Sequence, residues 1–225
     1  MNHGGTAHGI HARAIDDLVA EAASFHGHVC PGTVLGVRMV LAGCREVGVS
    51  EPRSADKSLV VIVEIDRCAT DAIEALTGVS LGKRTLKHAD FGKTAATFVN
   101  VRTNASVRVA ARESARARAR ALAPHIEDSR RAQAVAYRGM PEGDLLTIEP
   151  VVVDASWLAR RRVRVACAAC GEGVNYEREV PVDGRPHCRA CAGEPYYAPY
   201  EPRHMESAEV LASSTSRHSA RWRAR

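Results

Sequence analysis

The sequence predicts an α+β protein, in which an N-terminal domain of mixed helices and sheet precedes a small zinc-ribbon-like or treble-clef-like module. Two observations carry this prediction. Stretches with helical apolar spacing alternate with short β-branched runs across residues 11–155. Beyond them, two Cys-x-x-Cys pairs (Cys167/Cys170 and Cys188/Cys191) are separated by 17 residues, which is a spacing typical of a four-thiolate zinc site.

The helices of the N-terminal domain are predicted from apolar spacing and from the signals at their ends. Residues 11–25 show helical spacing, and a second helix runs from Pro31, in its first turn, to Val47. A third, short helix ends at Gly78. Residues 112–123 and 129–137 are also predicted as helices. On the second helix Gly32 and Gly36 are four residues apart, which indicates close packing on one face.

Three segments have the composition of strands. Residues 58–65 form a β-branched apolar run that is typical of a buried strand. Residues 94–101 and 106–110 predict a hairpin around the turn at 102–105. Residues 145–153 predict another strand, and Pro150 inside it places that strand near the edge of a sheet.

The four C-terminal cysteines (Cys167, Cys170, Cys188 and Cys191) predict a structural zinc. Four thiolates complete a tetrahedral site with no open position, so the metal serves structure. About 30 residues bury too small a core to fold alone, and the metal supplies the missing stability. Between the pairs, residues 172–185 predict a hairpin that turns at Asp183-Gly184.

The second candidate for chemistry is the stretch His26-Gly-His28-Val-Cys30-Pro-Gly. Cys30 stands at a predicted helix N-terminus, where the helix dipole lowers a thiol pKa. A second cysteine, Cys68, follows the buried strand. One hypothesis is a metal held by His28, Cys30 and Cys68 with a fourth position open. A metal-free alternative makes Cys30 a nucleophile, with His26 or His28 as its base. In the structural alternative these side chains only pack and cap.

The composition limits the classes of partner. The net charge of +5, from 31 basic and 26 acidic residues, is too mild to favour nucleic acid. The Arg112/Arg116/Arg120 run is therefore interpreted as a solvated helix face. No stretch approaches the length of a membrane span, and residues 1–11 have no signal-peptide character. We expect a cytoplasmic protein in which Cys44 belongs to the core.

Four motifs in order resemble the FmdE family, named for the E component of formylmethanofuran dehydrogenase: residues 26–32, residues 66–71 (Asp-Arg-Cys-Ala-Thr-Asp), Leu81-Gly-Lys83 and Asp90-Phe-Gly-Lys93. The resemblance covers about residues 15–150. It implies an α+β domain, commonly dimeric, with a groove around the histidine-cysteine loop. The groove would be lined by His26, His28, Cys30, Cys68, Asp71, Lys83, Asp90 and Lys93.

The resulting expectation divides the chain into a disordered N-terminus (1–10), an FmdE-like domain (11–155), a zinc module (160–198) and a disordered basic tail (205–225). The expected function is a metal-binding protein connected with a molybdenum or tungsten oxidoreductase or with one-carbon metabolism. Its catalytic candidates are His26, His28, Cys30, Cys68, Lys83, Asp90 and Lys93. Lys83 and Lys93 would hold a small anionic substrate.

Two alternatives describe a protein without its own reaction. An accessory protein would dock on a partner enzyme through the zinc module, with Tyr196, Tyr197 and Tyr200 against the module or the partner. A regulator would bind nucleic acid through the module and the arginine-rich tail, which the mild charge disfavours.

Overall fold

A computed structural model describes residues 9–159 and 162–199 of the chain. The chain divides into two compact units, Met1–Ala159 and Arg160–Arg225. The predictions for residues 1–8 and 200–225, including Tyr200 and the basic tail, lie outside the described residues. Ile10, which was expected in a disordered terminus, lies in a short 3-10 helix (Ile10–Ala12) and is buried in the core.

The helices of the first unit follow their predicted signals closely. They are α1 (Ile15–His26), α2 (Pro31–Glu46), α3 (Cys68–Thr77), α4 (Ser114–Leu122), α5 (Ser129–Gly139), α6 (Glu142–Leu145) and α7 (Ala155–Leu158). Single 3-10 turns occupy Pro52–Ser54 and Asp56–Ser58. Gly27 and Gly78 end α1 and α3 in the left-handed conformation, which glycine adopts without strain.

The five strands of the first unit form one mixed sheet. They are β1 (Leu59–Val63), β2 (Leu86–His88), β3 (Ala95–Asn100), β4 (Ala105–Ala111) and β5 (Leu146–Pro150), and their order is β2-β1-β3-β4-β5. The β3–β4 hairpin turns where it was predicted, and β5 lies at the edge, as Pro150 indicated. The α+β class predicted for this unit is therefore confirmed. β2 was not predicted, because three residues between two Gly-Lys pairs carry too little apolar pattern.

The core lies between the sheet and the helices. Alternate strand residues form one row across it, for example Val61 opposite Phe98 and Phe98 opposite Val107. α2 packs on the sheet and against α1, α3 and α5, and nine of its sixteen residues are buried. Cys44 is fully buried on α2, as predicted, and burial raises its pKa to about 12.

The strand directions bring several motifs to one end of the sheet. β2 is parallel to β1, whereas β3 is antiparallel to β1 and β4 is antiparallel to β3. The segments after β1, after β2, before β3 and after β4 therefore all lie at the same end, which we call the site end. It carries Asp66–Cys68 and Ala89–Lys93. The segment before β2, with Lys83, lies at the opposite end.

The second unit consists of two short hairpins. β6 (Arg164–Ala166) pairs with β7 (Gly173–Asn175), and β8 (Val180–Val182) pairs with β9 (Arg185–His187). The turn at Asp183-Gly184 was predicted correctly, and both residues have positive φ. The single hairpin predicted over residues 172–185 was wrong in extent. The turn at Cys167–Cys170 itself reverses the chain, so β7 pairs backwards with β6.

Among the described residues, no helix combines the length and the apolar character that a membrane crossing requires.

Candidate metal centres

Cys30 is the N-cap of α2, and its sulfur occupies the position where a helix accepts hydrogen bonds. The backbone N–H of Thr33 donates to Cys30 Sγ over 3.4 Å, and the Thr33 hydroxyl lies 3.6 Å from the same sulfur. In return, the backbone N–H of Cys30 donates to Thr33 Oγ1 at 2.8 Å, which closes a capping box. Sequence reasoning missed Thr33, although a polar side chain three residues after an N-cap is the signal of this motif.

The pKa of Cys30 lies below its ordinary value. Burial acts to raise it, but the hydrogen bonds from Thr33, from Cys68 and from the backbone of Gly32 together outweigh burial. Each of these bonds favours the thiolate over the thiol. Cys30 is therefore the more acidic member of the thiol pair at this site.

Cys68 is the first residue of α3 and meets Cys30 where α2 and α3 approach each other. Burial, together with the hydrogen bond to Cys30 and the charge there, raises its pKa. The approach is close because α2 carries glycines on the contact face. A Cβ on Gly32 would lie 2.7 Å from Cys68 Cβ, and one on Gly36 would lie 2.5 Å from the carbonyl oxygen of Ala69. The contact face predicted from the glycine spacing is confirmed.

His26 is the last residue of α1, and Asp71 in the first turn of α3 fixes its ring. Asp71 Oδ2 lies 2.7 Å from His26 Nδ1, and His26 Nε2 lies 3.9 Å from Cys30 Sγ. The hydrogen bond to Asp71 raises the pKa of His26 against the opposing effect of burial. A carboxylate on one ring nitrogen orients the other nitrogen toward a ligand or a proton donor.

The donor atoms of His26, Cys30 and Cys68 all lie within 4.8 Å of one another, and we call this set the helix cluster. Two ligands of a tetrahedral zinc, one nitrogen and one sulfur, are about 3.6 Å apart given the usual bond lengths. The 3.9 Å between His26 Nε2 and Cys30 Sγ is close to this value. One imidazole and two thiols thus fit a zinc ion and leave its fourth position for another ligand.

The four C-terminal cysteines form a second set, the knuckle cluster. Their sulfur atoms also lie within 4.8 Å of one another, and Cys170 Sγ lies 4.0 Å from Cys188 Sγ. Tetrahedral zinc separates two thiolate ligands by about 3.8 Å. Backbone N–H groups support the sulfurs, since Cys188 donates to Cys167 at 3.3 Å and Cys191 donates to Cys188 at 3.4 Å. The cluster fits the predicted zinc module.

The thiols of the knuckle cluster divide into one acidic member and weaker ones. Hydrogen bonds from the backbone of Cys170 and Cys188 lower the pKa of Cys167 to about 6. Hydrogen bonds with the neighbouring thiols raise the pKa of Cys191 to about 12. A divalent cation between the sulfurs favours thiolate at all four positions, so metal binding here releases protons.

Residues 25–147 match the family model described as "FmdE, Molybdenum formylmethanofuran dehydrogenase operon". The chain belongs to the FmdE family. The match contains every residue of the helix cluster, and the family predicted from the motifs is therefore confirmed.

Two relatives of this FmdE chain differ in what they share with it. A probable S-adenosyl-L-methionine-binding protein of Archaeoglobus fulgidus is 39% identical over 94 residues, which cover 41% of this chain and 26% of that protein. The match thus spans about a quarter of that relative's length. A crystal structure of an FmdE-like protein of tungsten formylmethanofuran dehydrogenase from Syntrophus aciditrophicus has a TM-score of 0.60 at 21% identity, covering 86% of this chain and 100% of that one. The second likeness shows the shared fold alone.

The remaining site residues predicted for this FmdE chain lie outside the helix cluster. His28 was predicted as a metal ligand, but the set of donors within 4.8 Å contains His26 instead. The His28 ring is exposed and lies over the His26 ring, with 4.6 Å between centroids. The reason is local. His26 ends α1 and is held by Asp71, whereas Gly27 turns the chain before His28.

The two lysines and Asp90 occupy different places. Lys83 Nζ donates to the carbonyl of Gly78 at 2.9 Å, at the C-terminus of α3. α3 has ten residues, so Lys83 stands about 15 Å along the helix from Cys68. Asp90 and Lys93 are exposed at the site end, and Lys93 lines a separate cavity. The single groove expected from the resemblance therefore corresponds to several places in the described chain.

Proposed function

We propose that this FmdE-family protein binds a transition metal, with zinc the best fit, at His26, Cys30 and Cys68 and uses it in catalysis. The observation that carries the proposal is the convergence of three soft or borderline ligands within 4.8 Å. One imidazole and two thiolates with an open fourth position are a ligand set of catalytic zinc sites. The knuckle cluster would hold a second, structural zinc.

Each residue around the helix cluster has a part in this proposal. Asp71 keeps the proton of His26 on Nδ1, so Nε2 offers its lone pair to the metal. Thr33 and the N-terminus of α2 stabilise the thiolate of Cys30. When bound, the metal would act as a Lewis acid on a substrate oxygen or lower the pKa of a bound water.

A second candidate uses the same residues without a metal. Asp71, His26 and Cys30 form a line in which the carboxylate orients the imidazole and the imidazole faces the thiol. This arrangement has the form of a carboxylate–histidine–thiol triad. Cys30 would be the nucleophile, and His26 would accept its proton.

Metal analysis separates the two candidates. Protein purified without chelator should contain two metal ions per chain, and Cys30→Ser should contain one. Cys44→Ala is the matched control and should keep two, because Cys44 is buried in the core away from either cluster. One metal per chain in both wild type and Cys30→Ser would contradict the metal proposal and favour the nucleophile. Asp71→Asn should weaken the more labile metal about 10- to 100-fold.

The physiological setting is a proposal that the family description supports. That description links the family to a molybdenum formylmethanofuran dehydrogenase operon. We propose a homodimer that serves a molybdenum or tungsten oxidoreductase or a one-carbon reaction, acting on a small anionic substrate or as an accessory protein. Light scattering coupled to gel filtration tests the homodimer, and a monomer mass would contradict it.

One observation favours the accessory form. Tyr196 and Tyr197 are 94% and 58% exposed, and their rings meet edge to face at 5.0 Å. The prediction that Tyr196 packs on its own module was wrong, so this ring is free to contact a partner. Co-purification of the oxidoreductase should be lost in Tyr196→Ala/Tyr197→Ala, and unchanged recovery would contradict docking there.

A further inference from the structure

A cavity of about 340 Å³ lies in the first unit at the site end, where β3 begins and β4 ends. The segment 92–94 forms one wall, and the end of β4 with the first turn of α4 forms another. Leu35 of α2 and the buried ring of Tyr137 on α5 contribute apolar surface. None of the helix-cluster residues lines this cavity, so it is a separate place in the molecule.

Four cationic side chains line the cavity: Lys93, Arg108, Arg112 and Arg116. Glu113 is the one carboxylate among the lining residues. Such a concentration of one sign of charge around a cavity focuses the field on a counter-ion inside it. Arg112 and Arg116 were interpreted from their spacing as a solvated face. The structure shows instead that Arg112 precedes α4 and that both arginines border the cavity.

The contacts within the protein leave donors over. Arg108 is occupied by Glu64, with Nε to Oε1 at 2.6 Å and Nη2 to Oε2 at 2.8 Å, so this pair braces the cavity wall. Arg112 donates only its Nε, to the carbonyl of Leu146 at 3.1 Å, among its described side-chain bonds. Arg116 contacts the exposed Glu113 at 3.2 Å. Since a guanidinium has five N–H donors, Arg112 and Arg116 can each still bind an oxyanion.

We propose that this cavity binds a small molecule bearing a phosphate or carboxylate group, held by Lys93, Arg112 and Arg116. Its volume lies at the lower end of the range for small-molecule sites, which favours a compact anion over a nucleotide-sized ligand. The first turn of α4 forms part of the wall, and its dipole adds to the attraction. The site needs no metal, and it stands whether or not the helix cluster binds one.

Calorimetric titration of the full chain with pyrophosphate and, separately, with citrate at low ionic strength tests the proposal. At least one of the two should bind with saturation at one site per chain. Lys93→Gln and Arg112→Gln should each weaken that binding about tenfold. Arg130→Gln is the matched control, because it removes the same charge from an exposed position on α5 that does not line the cavity. Binding of pyrophosphate only, or of citrate only, identifies which anion the site takes.

A gain of affinity provides the sharper arm. Glu113→Gln removes the carboxylate that competes for Arg116, so it should tighten anion binding about threefold. A variant that merely disturbed the fold would weaken binding instead. Absence of saturable binding to both anions, an equal loss in Arg130→Gln, or weaker binding in Glu113→Gln would each overturn the proposal. Unchanged thermal unfolding of the variants confirms that they are folded.

Discussion

The helix cluster and the knuckle cluster gather the same kind of ligand by opposite means. The knuckle cluster takes four cysteines from two local turns, and each pair is held by backbone hydrogen bonds within its own turn. The helix cluster takes one ligand from the end of α1, one from the start of α2 and one from the start of α3. Only the packing of three helices brings these donors together.

Burial separates the two clusters further. The helix cluster lies on a unit whose core holds large buried side chains such as Leu18, Met39, Phe98 and Tyr137. Among the described residues beyond 161, Cys167 is the one buried apolar side chain. The fold therefore makes the helix cluster, whereas the knuckle cluster with its metal makes the fold. Removing a ligand should have a different consequence in each.

The largest effect is expected from Cys188→Ser. Structural zinc contributes about 10–16 kcal/mol in small zinc domains, so loss of one thiolate should unfold the second unit. The first unit should keep its melting temperature, because its core is its own. Zinc analysis and two-dimensional amide NMR measure both results on the full chain.

His187→Ala is the control for Cys188→Ser. His187 adjoins Cys188, but its Nδ1 lies 3.0 Å from the carbonyl of Arg185 and it is not among the clustered donors. It should leave the zinc and the fold of the second unit intact. Dispersed resonances from residues 162–199 in zinc-free Cys188→Ser would refute the dependence of this unit on metal.

The contrast also explains how much could be predicted from sequence. The knuckle cluster follows from the spacing of Cys167, Cys170, Cys188 and Cys191, because each pair is held by a turn within the same few residues. The helix cluster was predicted in composition, with Cys30 and Cys68 correctly placed at helix starts. The histidine was not resolved, because the choice of His26 depends on Asp71, which is 45 residues away.

The lysines show a second limit of sequence reasoning. Lys83 and Lys93 stand in similar Gly-Lys pairs, so the pattern treats them alike. The short strand β2 lies between them and sends them to opposite ends of the sheet. Three residues carry too little periodicity to be recognised as a strand. The cavity arginines were missed for the related reason that charge spacing describes a helix face and not what the face meets.

A smaller effect is expected from Gly36→Ala, which tests whether helix packing makes the helix cluster. The added Cβ would lie 2.5 Å from the carbonyl oxygen of Ala69 and 2.7 Å from Ala72 Cβ, so α2 and α3 must move apart. Overpacking of this kind costs about 1–3 kcal/mol, which corresponds to a fall in melting temperature of several degrees for a unit of this size. Metal bound at the helix cluster should weaken, while the knuckle zinc stays.

Gly82→Ala is the matched substitution for Gly36→Ala. A Cβ on Gly82 meets nothing within 4 Å, so stability and metal content should both be unchanged. Equal melting temperatures for Gly36→Ala and wild type would mean that the close helix contact is not required. Loss of the knuckle zinc in Gly36→Ala would contradict the independence of the two clusters.

The smallest effect is a pH dependence that only the helix cluster has, because only it contains a histidine. Asp71 raises the pKa of His26 in the folded chain above the ordinary value of about 6.5. The charged pair therefore stabilises the first unit fully below that value, and the contribution is lost as the pH rises through the raised pKa. Asp71 is 43% exposed, so we expect about 0.5 kcal/mol.

Thermal unfolding from pH 5.5 to 8.5 measures this contribution, in protein supplied with one zinc per chain so that His26 stays free of metal. Asp71→Asn should melt lower than wild type by a degree or two at pH 6, and the difference should shrink toward pH 8.5. Asp90→Asn removes the same charge from an exposed position at the site end, and its difference from wild type should not change with pH. A constant difference for Asp71→Asn would place its role in packing. A difference that grows with pH would mean that Asp71 does not hold the proton on His26, which would remove the main support for Nε2 as the ligand atom.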